Sequence, residues 1–460
     1  MPQANNPQIQ LSSHVMQCFC RPAYYFTGGI MMKKVWKRVP FLLVAVMLIQ
    51  GCSSIGFGSK DSSKITLKVL TSTSQFNAYV PLLKEKFPNL SFEVVDVNGK
   101  LREENTPAGE RERRAIEIIE AEKPDLYYSF SPDYYTSESR LVDLAPLLER
   151  DHVQLNEIQQ QVVTSSIDSE GVLNRLSPTI DRYVLYMNRK LLQENQIAEP
   201  TVPISWEQFR ETAGALKEKS PNASGYEMSD SWWSYFNIFV GEQMMGLRWI
   251  EDGQLTLDRA EWRALSEQLV EDYKQQISKN DGYNPNFNER LRTGMFVERA
   301  SYLHNMLPSN VTPEDWSIVD LPKGLGYTGP TPYLLTASLS LDKSSKHIDE
   351  AWELIVFLMS EEGASLISSN TLASGFVTYP QFVNIGDFPT DVIYQSEGRT
   401  APKATEYLTH TAYLHFDQVM QKQLGAAAAG SISFDQAWGE VENTIHDLNA
   451  DPANFIIRSN

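Results

Sequence analysis

A regular alternation of apolar and polar residues begins at Ile65. ITLKVLT (65–71) keeps a period of two, as a half-buried strand does, and LSFEVVDV (90–97) reads as a second strand after a short helix over 78–87. Thr106-Pro107 offers a cap and a first-turn proline to a helix whose Ala115, Ile118 and Ile119 keep helical spacing, ending before Pro124. DLYYSF (125–130) then supplies a third strand. Strand and helix in alternation predict parallel pairing through right-handed crossovers and an open α/β sheet. Farther along, Ser205 can cap a helix while Gln208 reaches back to it, with Phe209, Ala213 and Leu216 as the buried stripe. Ser431 to Leu448 predicts a closing helix.

The stretch before this pattern is different. Met31 to Cys52 opens with Lys33, Lys34, Lys37 and Arg38, continues with an apolar run from Phe41 to Ile49, and ends in Gly51-Cys52. The run is too short to span a bilayer, so it reads as a signal peptide. Ile49-Gln50-Gly51-Cys52 resembles the bacterial lipobox, which makes Cys52 the expected lipidation site and residues 1–51 a removed leader. Residues 1–30 fit no part of such a leader, and Met31 or Met32 is the expected true start. Residues 52–63, rich in Ser and Gly, have the composition of a flexible tether.

Composition narrows the possibilities further. Removing 1–51 takes five basic residues and no acidic one, so the formal charge moves from −18 to −23. Such an acidic body argues against nucleic acid, whose phosphates need a basic footprint. Of the three cysteines, Cys18, Cys20 and Cys52, the last alone survives processing, and it is consumed by the lipid; no disulfide framework is expected. The length predicts two lobes rather than one core.

Three passages carry a family resemblance. EIIEAEKPDLYYSF (117–130) and LVDLAPL (141–147) form the first; LSPTIDRYVLYMNRKLLQENQI (176–197) followed by PISWEQF (203–209) the second; DWSIVDLPKG (315–324), YLLTASLSL (333–341) and SKHIDEAWELIVFLMSEEGASLI (345–367) the third. In order and spacing they are similar to the extracellular solute-binding proteins of ABC importers, the group resembling maltose-binding protein. The resemblance implies a two-lobed, type II periplasmic-binding-protein-like α/β fold with a ligand cleft at a hinge. Lobe 1 is expected over 64–176 and 323–377, and lobe 2 over 180–320 and 380–460. The implied partners are a small polar solute, above all a sugar, and ABC permease subunits, for a monomer that meets the membrane through its lipid anchor alone. No reaction and no cofactor are implied.

Sugar clefts combine aromatic faces for C–H surfaces with polar groups for hydroxyls. Trp232-Trp233 in YEMSDSWWSYF is the leading aromatic pair. The family pattern adds Ser72 and Thr73, Ser131 and Asp133, Asp181 and Arg182, Asn305 and Tyr333 as ligand contacts. Asn305-Met306-Leu307 stands where the family often has Gly-Pro-Trp, which removes one common stacking ring.

Other chemistries are weaker. Gly324-Leu325-Gly326-Tyr327-Thr328-Gly329 satisfies G-x-G-x-x-G, but Pro330 and Pro332 deny it the helix a dinucleotide needs. Tyr127, Tyr128, Tyr134 and Tyr135 suggest a tyrosinate iron site, yet neighbours on a strand point to opposite faces. G-x-S-x-G, H-E-x-x-H, C-x-x-C and the P-loop are missing from the sequence. A surface lipoprotein acting on carbohydrate, and a sensor retaining the binding fold, stand as the alternatives.

Overall fold

The computed structural model describes residues 64–107, 110–135, 139–168, 171–228, 233–279, 286–370, 374–395 and 407–456. Cys52, the tether and Trp232 lie outside them. From Thr66 onward the described chain forms one compact unit.

Its strands, in chain order, are β1 (Ile65–Thr71), β2 (Leu90–Asp96), β3 (Leu126–Tyr128), β4 (Thr179–Asp181), β5 (Tyr183–Asn188), β6 (Ser224–Met228), β7 (Ile250–Glu251), β8 (Gln254–Leu255), β9 (Ser278–Lys279), β10 (Thr293–Arg299), β11 (Trp316–Val319), β12 (Leu334–Leu335), β13 (Leu339–Leu341), β14 (Phe376–Val377), β15 (Tyr407–Leu408) and β16 (Phe455–Ile456). A first sheet has the order β13-β3-β1-β2 and a second the order β11-β5-β10-β6-β9. β1 and β3 pair in parallel, with Leu70 beside Tyr127, but β13 joins β3 antiparallel. In the second sheet β10 is parallel to β6 and antiparallel to β5. The expectation of parallel pairing therefore holds locally, while both sheets are mixed. The antiparallel strands come from chain segments that return late, which local alternation cannot reveal.

The third sheet explains how the other two connect. β4 lies between β12 and β14, antiparallel to each. β4 sits on the passage from β3 to β5, β12 on the passage from β11 to β13, and β14 follows β13. Two crossings between the sheets, and the passage from β13 to the segment packed on the second sheet, thus each leave one strand in the same small ladder.

Several local expectations shift. The helix after β2 begins at Val97, capped by the Asp96 carboxylate, which accepts the Gly99 amide at 2.8 Å. The next helix starts at Arg111, not at the Thr106-Pro107 signal, although Ala115, Ile118 and Ile119 are buried as their spacing predicts. Ser205 and Gln208 form the reciprocal capping box on helix Trp206–Lys219, with Phe209, Ala213 and Leu216 fully buried. The closing helix runs Phe434–Ala450, set by a second capping box at Ser433 and Gln436 rather than by Ser431.

The largest core covers one face of the second sheet with Leu185, Met187, Met295 and Val297, together with helices Trp206–Lys219, Trp233–Gln243, Ala260–Lys274 and Phe434–Ala450. Helix Trp233–Gln243 approaches helix Ala260–Lys274 through Gly241, where a Cβ would stand 2.1 Å from the Trp262 ring. The opposite face carries Val184, Tyr186, Phe296 and Trp316 in a separate cluster. That division is the period of two in YVLYMN and TGMFVER made visible.

Candidate functional site

In open α/β sheets the loops beyond the carboxyl ends of parallel strands are where backbone groups and side chains can converge on a ligand. At the first sheet, Ser72 follows β1 and donates from Oγ to the Ser129 carbonyl beyond β3 at 2.9 Å. Asn98, after β2, donates to the Ser72 carbonyl at 3.1 Å. Thr73 caps the 3-10 turn Ser74–Ala78, and Ser131 precedes the turn Pro132–Tyr134. Ser72, Thr73 and Ser131 keep partial exposure. Asp133 does not: it is buried and accepts from Ser139 Oγ at 2.9 Å and the Arg140 amide at 3.2 Å, closing its own loop.

At the second sheet the expected residues divide the same way. Asp181 is sealed from solvent; its Oδ1 accepts the amides of Arg182 at 2.9 Å and Ser301 at 3.2 Å, while Oδ2 has no hydrogen-bond partner. Burial pushes its carboxyl up to about 6 against the pull of Ser301 and the Arg182 amide. Arg182 is also buried, and desolvation lowers its pKa. From Nη2 it donates to Asp320 at 2.7 Å, and from Nη1 to the carbonyls of Val392 and Gln395. These two hold the junction between β4, β5 and the segment near Val392. Glu298, on the other face of β10, is likewise pushed up to about 6 by burial, with Arg290 3.6 Å away as the counterweight.

Trp233 is 5% exposed and packs on Phe236 and Tyr273, so it belongs to the core rather than to an open surface. Tyr333 is buried and donates to Gln161 at 3.1 Å and to the Tyr394 carbonyl. Asn305 is exposed on the turn Leu303–Met306. Gly324 to Gly329 forms a loop, with Leu325 and Gly326 at positive φ, and no helix opens on it. Tyr127 and Tyr128 point to opposite faces, the former toward Asp342 and the latter against Phe76 and Tyr79.

The sequence pattern of bacterial extracellular solute-binding proteins matches residues 69–365. The chain belongs to that family. No curated protein sequence matches it. Among solved structures, the sugar-binding protein MalE of Xanthomonas citri aligns at 13% identity with a TM-score of 0.61, covering 84% of this chain and 98% of that one. Maltose-bound MalE3 of T. maritima aligns at 14% identity with a TM-score of 0.57, over 83% and 99%. An open conformation of a sugar transporter from Rhizobium etli aligns at 16% identity with a TM-score of 0.58, again over 83% and 99%. These likenesses show the two-lobed α/β fold of periplasmic binding proteins.

Within this solute-binding protein, a group that sequence reasoning passed over stands beside Arg182. Tyr183 meets Phe239 edge-on at 4.6 Å, its hydroxyl lies 3.0 Å from that of Tyr235, and Tyr235 stacks on Phe239. Tyr235 and Phe239, one helical turn apart on Trp233–Gln243, are half-buried. The sequence signal for this group is the i, i+4 spacing of Tyr235 and Phe239 within WWSYFNIF. Among the described residues no helix is long and apolar enough to cross a membrane.

Proposed function

We propose that this protein is a lipid-anchored, extracytoplasmic binding component of an ABC importer that captures a carbohydrate between two lobes and hands it to permease subunits. The observation that carries this reading is the placement of polar loops beyond the strand ends of two separate sheets, at 72–73 and 129–131 on one and 181–183 and 299–301 on the other, with three paired strands between the sheets. Lobe 1 is taken as 64–176 with 323–377 and lobe 2 as 180–320 with 380–460, the ladder β12-β4-β14 serving as hinge. Support for a sugar comes from the half-buried rings of Tyr235 and Phe239, which suit pyranose C–H faces, and from the sugar-binding and maltose-bound proteins of the same fold. Ser72, Thr73, Ser131, Asn305 and Trp232 are assigned as contacts. Asp133, Asp181, Arg182, Trp233 and Tyr333 are assigned to holding the contact loops. Cys52 is assigned as the lipid attachment point.

A thermal-shift screen of the chain from Ser53 onward tests this. Mono- and oligosaccharides are compared with amino acids, peptides and ferric citrate. A ligand bound to the folded state at a hundredfold excess over its Kd adds about 2.7 kcal/mol. A saturable shift with one sugar class, with that sugar recovered intact, is the expected result. Cleaved sugar would make the protein an enzyme, and shifts confined to non-sugar ligands would overturn the carbohydrate assignment.

A further inference from the structure

The face of β10 that lines the main core ends in a charge. Met295 and Val297 pack there with Leu185 and Met187, and the next residue of that stripe is Arg299, directly opposite Tyr183 in the β10–β5 register. Directly opposed residues share a face with their Cβ atoms roughly 5 Å apart. Arg299 is half-buried, so it sits where the apolar filling stops. Beside it stand the rings of Tyr183, Tyr235 and Phe239. A single guanidinium therefore edges an aromatic corner that is partly open to water.

Two other buried arginines already face carboxylates. Arg182 is joined to Asp320 at 2.7 Å, and Arg290 lies between Glu298 at 3.6 Å and Glu227 at 3.8 Å while stacked against Phe296 and Tyr302. Among the described residues no carboxylate lies within ion-pair distance of Arg299. Its side-chain hydrogen-bond partner is Tyr183, and the acid whose field reaches it, Asp181, is sealed and has given Oδ1 to two backbone amides. A partly desolvated guanidinium presents a planar fork of donors that a carboxylate satisfies in a bidentate manner.

We propose that the solute selected here carries a carboxylate, as a uronic acid or an oligosaccharide ending in one does, bound by Arg299 with its sugar ring against Tyr183, Tyr235 and Phe239. This rests on the carbohydrate reading above and narrows it. One guanidinium balances one charge; a sugar phosphate, with nearly two, would leave an uncompensated anion in a chain already at −18.

Calorimetric titration of the purified protein with D-galacturonate, D-glucuronate and digalacturonate, each against galactose, glucose and maltose, tests the inference. At least one acid is expected to bind roughly 10- to 100-fold more tightly than its neutral counterpart, the range of a hydrogen-bonded charge. Arg299→Gln is expected to remove that preference, read as the ratio of the acid's Kd to that of its neutral counterpart in the same variant. Arg299→Lys, which keeps the charge without the fork, should retain part of it. Should Arg299→Gln fail to fold, the acid-to-neutral ratio of the unmodified protein still decides. Neutral sugars binding as well as their acids, or an acid preference that survives Arg299→Gln, would overturn this inference and leave the carbohydrate reading standing. Binding of no sugar, acidic or neutral, would remove both.

Discussion

Arg182 and Asp320 are joined at 2.7 Å although one is sealed in the protein and the other is half open to water, with side-chain exposures of 1% and 46%. The pair fastens β5 to the segment after β11, and the same guanidinium reaches the carbonyls of Val392 and Gln395. Removing the carboxylate leaves a buried cation with carbonyl partners alone. Asp320→Asn is expected to cost about 2 kcal/mol, below the 3–5 of a fully buried pair because water can replace part of a half-exposed acid. Urea unfolding reads this directly, and a loss under half a kcal/mol would mean the pair is incidental.

Asp181 gives a pH signature. Its folded pKa, about 6, lies above the ordinary 3.8, so between those values the native state holds more protons than the unfolded one. Stability from this group therefore falls as pH rises from 4 to 6, and the penalty is complete above that. Asp181→Asn removes the titration. Relative to the unmodified chain it should gain up to about 3 kcal/mol between pH 4 and pH 7.5, whatever its offset at low pH. A stability difference that stays flat across that range would show that Asp181 is not desolvated.

Gly241 is the point where two helices touch. Gly241→Ala would drive a methyl into the buried ring of Trp262, which is itself held by a hydrogen bond to the Arg248 carbonyl at 3.1 Å. The expected cost is about 2–3 kcal/mol. Because Tyr235 and Phe239 ride on the same helix, sugar affinity should fall with it. Unchanged thermal unfolding would show that the helices can separate freely.

Ser205→Ala tests a local feature. It loses the acceptor for the Gln208 amide at 3.1 Å and should cost about 1 kcal/mol by thermal unfolding, with no effect on solute binding. A change in affinity would mean that helix Trp206–Lys219 reaches the site.

The local parts of this architecture were legible because they depend on short spacings. Ser205 with Gln208, the stripe Phe209-Ala213-Leu216, and the opposed faces of Tyr127 and Tyr128 follow from periods of 3.6 and 2. The family passages around YVLYMN and SKHIDEAWELI made the two-lobed class readable as well. What stayed hidden depends on distant pairing. β13 returns to β3 from more than two hundred residues away, and nothing near DLYYSF announces its antiparallel neighbour. The expected contact residues suffered similarly. Asp181 and Arg182 look like polar loop residues until Ser301, Asp320 and Val392 enclose them, and Trp233 looks like a stacking platform until Phe236 and Tyr273 cover it. The role proposed for Arg299 has no local signal, because the residue ends an apolar strand, where a charge looks like a stop.

The ladder β12-β4-β14 has a mechanical consequence. Three straps that cross side by side and are bonded along their edges can flex together about the line they share, but a twist would shear the bonds between them. On the hinge reading proposed above, motion between the two larger sheets is thereby reduced to nearly a single coordinate. In that reading a solute that draws the halves together at one rim parts them at the other, and a permease touching the distant rim would read occupancy as a gap of fixed direction, whatever the solute's own shape.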